Sequence, residues 1–265
     1  MEFNTKWAQE TLPILHDLCL QAGDAIMEIY RSDFQVEYKD DKMPVTEADR
    51  AAEAIIIKGL RAINPDWAIV AEESSSLNGA PKVEGRYFWL VDPLDGTREF
   101  MARNGEFTVN IALIQDCIPV MGIIYAPAIG LVYTGIQGLN AQKCKLDDDQ
   151  GYAPISAKRV DDDGAIMVGS SRNHRSTHNL QLLIQEQTLK ARLNMGSSLK
   201  FCLIAEGNAD FYPRLGRTME WDTAAGHAIL NAAGGSVTHI DGAPFLYHKN
   251  PIFENPAFIA RGKLS

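Results

Sequence analysis

Cysteine is scarce in this 265-residue chain, and the four present, Cys19, Cys117, Cys144 and Cys202, are scattered without a CxxC pair. Neither a zinc site nor a disulfide framework has the spacing it needs, so buried free thiols in a reducing compartment are expected. No apolar run approaches the roughly 20 residues that span a bilayer. The amino terminus also lacks a basic start, an apolar stretch and a small-residue cleavage site. The expected location is the cytoplasm, with peripheral attachment at the inner membrane face left open. Repeats, low-complexity tracts and long linkers are missing too, which excludes solenoids and independently moving modules. Positive charge is in deficit, with 25 Lys and Arg against 34 Asp and Glu and a formal charge of −9. Such a field repels nucleic acid. A phosphorylated substrate would need bound cations or a focused basic patch.

Hydrophobic residues make up 46% of the chain and charged ones 22%, which is ordinary globular composition. Apolar spacing of three and four residues predicts helices over 12–30 and 47–62. Strands are expected at 67–71, 88–91, 108–115, 120–125 and 131–135, the last three as an antiparallel meander. Beyond the polar stretch 147–163 the pattern alternates short strands (165–169, 210–212, 236–238, 258–260) with helices near 178–188, 198–206 and 222–233. That stretch is the one credible internal boundary, dividing 1–155 from 156–265.

Chemistry concentrates in Trp89-Leu90-Val91-Asp92-Pro93-Leu94-Asp95-Gly96-Thr97, where an apolar strand runs into two carboxylates, a proline and a Gly-Thr pair. Two acids at a strand's carboxyl end, followed by backbone donors, suit hard cations held against a phosphate. The same composition also makes an ordinary turn, and both readings stand for the segment alone. Glu72 and Glu73 follow the run 67–71, either at the rim where open sheets place their sites or in a solvated loop. Asp222 opens the helix 222–233, where an acid gains about 0.3–1 kcal/mol from the helix dipole. Asp49 closes Thr46-Glu47-Ala48-Asp49, a capping-box pattern. Each acid alone has a structural explanation. Together they point to a magnesium phosphomonoesterase.

Val91-Asp92-Pro93-Leu94-Asp95-Gly96-Thr97, with Ala71-Glu72-Glu73 and Val45-Thr46-Glu47-Ala48-Asp49 upstream and Trp221-Asp222-Thr223-Ala224-Ala225-Gly226 downstream, resembles the ordered signatures of the inositol monophosphatase superfamily. Within it, Asp95-Gly96-Thr97-Arg98-Glu99-Phe100, the stretch 103–112, Gly196-Ser197-Ser198-Leu199-Lys200-Phe201-Cys202 and Tyr212-Pro213-Arg214 are most similar to bacterial 3′(2′),5′-bisphosphate nucleotidases of the CysQ type. Arg98 stands where lysine is commoner in that group, and keeps the charge.

The resemblance implies a layered αβαβα sandwich: an amino-terminal α+β half with a mainly antiparallel sheet, a carboxy-terminal α/β half, and the site between them. It implies two or three Mg2+ ions held by the side chains of Glu72, Asp92, Asp95 and Asp222 and the Leu94 carbonyl. It further implies direct attack by a water oriented by Glu72 and the Thr97 hydroxyl, with Asp49 accepting a hydrogen bond from Thr97. The reacting phosphate would meet the turn at Gly96 and Thr97. Ser197, Lys200 and Arg214 would hold the nonreacting phosphate and ribose, or else act as a helix cap and two surface cations. Arg172 and His174 could extend that patch. His227 lies about 140° around the helix from Asp222 and is expected to be structural. The implied substrate is 3′-phosphoadenosine 5′-phosphate, with lithium inhibition as a family expectation. Inositol phosphates or fructose 1,6-bisphosphate are the alternatives within the superfamily, and a noncatalytic metal-nucleotide-binding regulator is the alternative of another class.

Overall fold

The computed structural model describes residues 3–32, 36–38, 44–160, 164–169 and 188–263. The helix expected near 178–188, with Arg172 and His174, falls outside the described residues. Helix α1 (Thr5–Tyr30) starts earlier than its apolar spacing suggested because the Asn4 side chain accepts the Trp7 N–H at 2.9 Å. Pro13 lies on its exposed face. The hairpin of β1 (Val36–Tyr38) and β2 (Pro44–Thr46) leads into α2 (Glu47–Ile63).

A seven-stranded sheet follows in the order β3 (Ala68–Ala71), β4 (Tyr87–Asp95), β5 (Thr108–Gln115), β6 (Ile118–Ala126), β7 (Leu131–Ile136), β8 (Ala141–Lys145) and β9 (Ala153–Ile155). Only β3 and β4 pair in parallel; the rest form the expected meander, extended by β8 and β9. β8 mixes a glutamine and two lysines with its apolar residues, and β9 is three residues long with a central proline, so neither offers a clean alternation. Short helices α3 (Glu72–Asn78) and α4 (Thr97–Met101) follow β3 and β4.

The second sheet has the order β11 (Leu189–Asn194), β10 (Ala165–Gly169), β12 (Phe211–Arg214), β14 (Phe258–Arg261) and β13 (Ser236–His239). Between the sheets lie α5 (Leu199–Ala205) and α6 (Glu220–Ala232). Successive residues of β4 alternate between two cores: Tyr87, Trp89 and Val91 pack with α1 and α2, while Phe88 and Leu90 pack with α5, α6 and the second sheet. Both faces of the large sheet are therefore buried. That explains why β4 reads as a continuous apolar run rather than an alternating one. The described residues thus stack in four layers: helices, sheet, helices, sheet.

How α6 approaches the large sheet decides where Asp222 goes. Gly122 and Gly135 are paired across β6 and β7. A Cβ on Gly122 would lie 2.6 Å from the Ala225 carbonyl oxygen, and one on Gly135 would lie 2.4 Å from the Ile229 Cα. Two glycines let the helix backbone rest directly on the strands. No described helix is long and apolar enough to cross a membrane.

Candidate metal centre

Parallel pairing puts Ala71 beside Val91. The next residues, Glu72 and Asp92, accordingly leave neighbouring strands at the same rim. Glu72 begins α3, a short helix where sequence reading offered a rim or a loop. Asp92 does not begin a turn. The strand continues to Asp95, and because Asp92 faces Asn110 while Asp95 faces Thr108, one extra residue is accommodated between them. Asp92-Pro93-Leu94-Asp95 is therefore a bulge, a device that re-aims side chains at sites. Proline suits it because it has no N–H to give to the ladder. The Asp92 carboxylate steadies the bulge by accepting the Leu94 N–H at 3.0 Å.

From the other side, α6 presents Asp222 in its first turn. The Met219 N–H donates to Asp222 Oδ2 at 2.9 Å, so the acid closes its own helix start. Ligand oxygens of Glu72, Asp92 and Asp222 lie within 4.8 Å of one another. Acids separated by up to 150 positions in the chain thus converge.

The electrostatics match the crowding. Burial, reinforced by the charges of Glu72, Asp95, Asp222 and Asp49, holds the Asp92 carboxyl well above the ordinary carboxylate range. Burial, then Asp95 and Glu72, does the same to Asp222, against a pull downward from the Met219 N–H and Arg214. Carboxylates packed in a dry site repel one another unless a cation neutralises them. Three all-oxygen donors at this spacing fit a hard divalent ion such as magnesium.

Asp49 is buried on α2, close enough for its charge to act on Asp92. The Thr97 hydroxyl, at the first position of α4, lies 3.5 Å from the Leu94 carbonyl oxygen. Gly96 sits in the left-handed region at φ 94°, and a Cβ there would meet the Glu106 carbonyl oxygen at 3.1 Å. Glycine answers both demands.

Asp95 is placed differently from the other three acids. Its Oδ2 accepts the Ser197 hydroxyl at 2.7 Å and the Ser198 N–H at 2.6 Å. Its charge still reaches Asp92 and Asp222. Ser197 itself holds φ 55°, an uncommon conformation for a residue with a Cβ. Thr108 and Asn110, which sequence reading did not single out, anchor this corner: Ser198 Oγ donates to Asn110 Oδ1 at 2.8 Å and Thr108 Oγ1 donates to the same oxygen at 3.0 Å. The signal was present in the alternation of β5, which turns two polar side chains into an otherwise apolar core.

Lys200 is an interior residue, which removes the surface-cation reading for it. Its ammonium donates to the Ser197 carbonyl and lies 5.3 Å from the Tyr212 ring centroid. Burial lowers its pKa to about 8, with Asp95 pulling upward and Arg214 downward. Arg214, half-buried at the end of β12, donates from Nη2 to the Arg217 carbonyl at 3.0 Å. His227 is structural as expected. Burial drives its pKa down to about 3, and Nδ1 pairs with the Tyr247 hydroxyl at 3.1 Å. Cys19, Cys144 and Cys202 are buried and free, while Cys117 is half-buried and free.

The model of the inositol monophosphatase family matches residues 7–262. The chain is 44% identical to the 3′(2′),5′-bisphosphate nucleotidase CysQ of Salmonella typhimurium, covering 91% of this chain and 95% of that one. It is 42% identical to the CysQ nucleotidase of Escherichia coli K12 over the same shares. Among solved structures, CysQ from Bacteroides thetaiotaomicron, described as a bacterial member of the inositol monophosphatase family, superposes with a TM-score of 0.80 at 35% identity, covering 99% of this chain and all of that one. An inositol monophosphatase from Anabaena superposes with a TM-score of 0.72 at 25% identity, covering 97% and 91%. Matched by the family model over residues 7–262 and by relatives of more than 40% identity over 91% of its length, this chain belongs to the inositol monophosphatase family.

Proposed function

We propose that this chain is a magnesium-dependent phosphomonoesterase that removes the 3′-phosphate of 3′-phosphoadenosine 5′-phosphate, and of the related phosphosulfate, giving the 5′-nucleotide and inorganic phosphate. The observation that carries this reading is the buried convergence of Glu72, Asp92 and Asp222 within 4.8 Å, in a chain whose relatives bear the nucleotidase name. A cytoplasmic setting goes with it.

Glu72, Asp92, Asp95, Asp222 and the Leu94 carbonyl would hold two or three magnesium ions, Asp95 through Oδ1, since both of its serine contacts fall on Oδ2. Bound magnesium supplies charge neutralisation at the phosphate and acidifies a water. The rest falls to the protein. Glu72 and the Thr97 hydroxyl orient the attacking water, Glu72 taking its proton as general base. Asp49 accepts the Thr97 hydroxyl and so fixes its direction. The backbone at Gly96 and Thr97 approaches the phosphate oxygens. A new phosphorus–oxygen bond forms on the water side while the ester bond to the 3′-oxygen breaks, and that oxygen leaves as the hydroxyl after taking a proton. No phosphoenzyme forms. Ser197, Lys200 and Arg214 receive the nonreacting phosphate and ribose, the guanidinium through its bidentate fork and the ammonium as a point charge.

The test is phosphate release from 3′-phosphoadenosine 5′-phosphate, an inositol monophosphate and fructose 1,6-bisphosphate, under magnesium and with lithium added. The nucleotide is expected to win by kcat/KM, and lithium to suppress turnover. Preference for the inositol phosphate would overturn the substrate assignment. Nucleotide binding without turnover of any of the three would make the chain a regulator instead.

A further inference from the structure

Glu53 lies one helical turn after Asp49 on α2 and is buried. Its carboxylate does not serve its own helix. Oε2 accepts the Glu73 N–H at 2.7 Å, and Oε1 accepts both the Ser74 N–H at 2.8 Å and the Ser74 hydroxyl. These donors belong to the first turn of α3, the helix that begins with Glu72.

A helix start needs acceptors for its first N–H groups, and these usually come from a serine, threonine or aspartate at the N-cap. Here the N-cap residue is Ala71, which makes no side-chain cap and is fully buried as the last residue of β3. The position is committed to the core and has no polar group to offer. Acceptors are instead brought from α2, whose spacing puts Asp49 and Glu53 on one face. One helix thereby supplies an acid facing the metal centre and the cap that seats the neighbouring ligand.

We infer that Glu53 is a positioning residue of the metal centre: by capping α3 from α2 it sets where Glu72 stands relative to Asp49 and Asp92. The inference rests on the reading of Glu72 and Asp92 as magnesium ligands. Outer groups that orient metal ligands typically govern affinity by about 10–100-fold. Glu53→Gln retains one carbonyl oxygen but turns an NH2 toward backbone donors, so the first turn of α3 loses one of its acceptors.

The experiment is calorimetric titration of the full-length, substrate-free protein with Mg2+, alongside steady-state kinetics at varied Mg2+. Glu53→Gln is expected to weaken Mg2+ binding by about 10–100-fold, with kcat recovering at high Mg2+ and nucleotide KM little changed at saturating metal. Ser74→Ala, which removes a single hydroxyl, should shift Mg2+ binding in the same direction by less, and decides the matter if Glu53→Gln does not fold. Glu206→Gln is the control. Glu206 accepts Tyr133 and Lys143 away from the centre, and its loss should lower the melting temperature without moving the Mg2+ midpoint. Wild-type Mg2+ affinity in both Glu53→Gln and Ser74→Ala, or an equal shift in Glu206→Gln, would overturn the inference. A wild-type protein that binds no Mg2+ would sink the metal reading and this inference with it.

Discussion

Two helix starts carry acids to the same point, and they are built in opposite ways. At α6 the ligand candidate is its own cap: one oxygen of Asp222 holds the Met219 N–H, and the residue cannot turn without loosening its helix. At α3 the cap comes from Glu53, 20 positions before Glu73 in the chain. Around α6 residues of the same half brace the turn, Asn255 Nδ2 donating to the Met219 carbonyl at 2.6 Å and to Thr223 Oγ1 at 3.0 Å, and the Glu220 carboxylate accepting the His248 N–H at 2.7 Å. Around α3 the brace is again a buried carboxylate. A cluster of like charges can thus be held by local hydrogen bonding on one side and by a distant element on the other.

The largest effect should come from the acid that both sides face. Asp92→Asn is expected to cut magnesium-dependent turnover on the order of 10³-fold, while raising the melting temperature of the metal-free protein, because one repelling charge is gone. A gain of about 1 kcal/mol would appear as about 2–4 °C in a chain of this size. The same cluster sets a pH signature. The folded-state carboxyls of Asp92 and Asp222 lie above their ordinary range, so the folded protein holds protons that the unfolded chain has released. Raising pH from the ordinary carboxylate range through those elevated values strips them, and metal-free stability falls. The melting-temperature gain on adding Mg2+ should therefore widen as pH rises, and Asp92→Asn should flatten that slope. A gain independent of pH in the wild type would break the picture of a mutually repelling set.

A smaller effect concerns the substrate side. Lys200 has its pKa lowered to about 8, chiefly by burial. Its ammonium is present below that value and lost above it, so kcat/KM for the bisphosphate should decline as pH passes about 8. In Lys200→Arg that descending limb should move to higher pH, because guanidinium keeps its proton. An unmoved limb would assign it elsewhere.

The smallest effect separates the two helix starts directly. Asp222→Asn and Asp222→Ala should impair metal binding alike, but asparagine keeps an acceptor for the Met219 N–H and alanine does not. Asp222→Ala should be the less stable by about 1 kcal/mol, read as a difference in thermal melting between the two variants. Equal stability would mean that the self-capping bond contributes nothing.

Much of this architecture is legible from residue order. The apolar spacing of α2, the meander of β5 to β7 and the acids at the ends of β3 and β4 all follow from local periodicity and turn chemistry. Less legible are β8, β9 and β11. The last sets half-buried Leu189, Ala191 and Leu193 against exposed Lys190, Arg192 and Asn194 at a sheet edge, so a period-two signal is there, but on a strand that buries only half of one face. The bulge at Pro93-Leu94 reads equally well as a turn, since composition cannot tell whether the ladder resumes at Asp95. Glu53 is hidden in the sequence because an acid four residues after Asp49 on an amphipathic helix looks like solvated charge. Only its partners on α3 give it a role. Thr108 and Asn110 look like ordinary strand residues until Ser198 is brought against them.

Residue order alone determined that the acids stand at the ends of regular elements. Asp92 and Asp95 follow an apolar strand, Glu72 follows another and Asp222 opens a helix, because local hydrogen bonding and side-chain period are short-range properties. Tertiary structure alone decided that Glu72, Asp92 and Asp222 meet, that Asp95 leans on Ser197 and Ser198, and that Lys200 is interior. The meeting of the three acids depends on the parallel register of β3 and β4 and on glycines 122 and 135 letting α6 lie flat on the sheet. Such long-range packing is carried by contacts between distant segments, and no local window of sequence contains both partners.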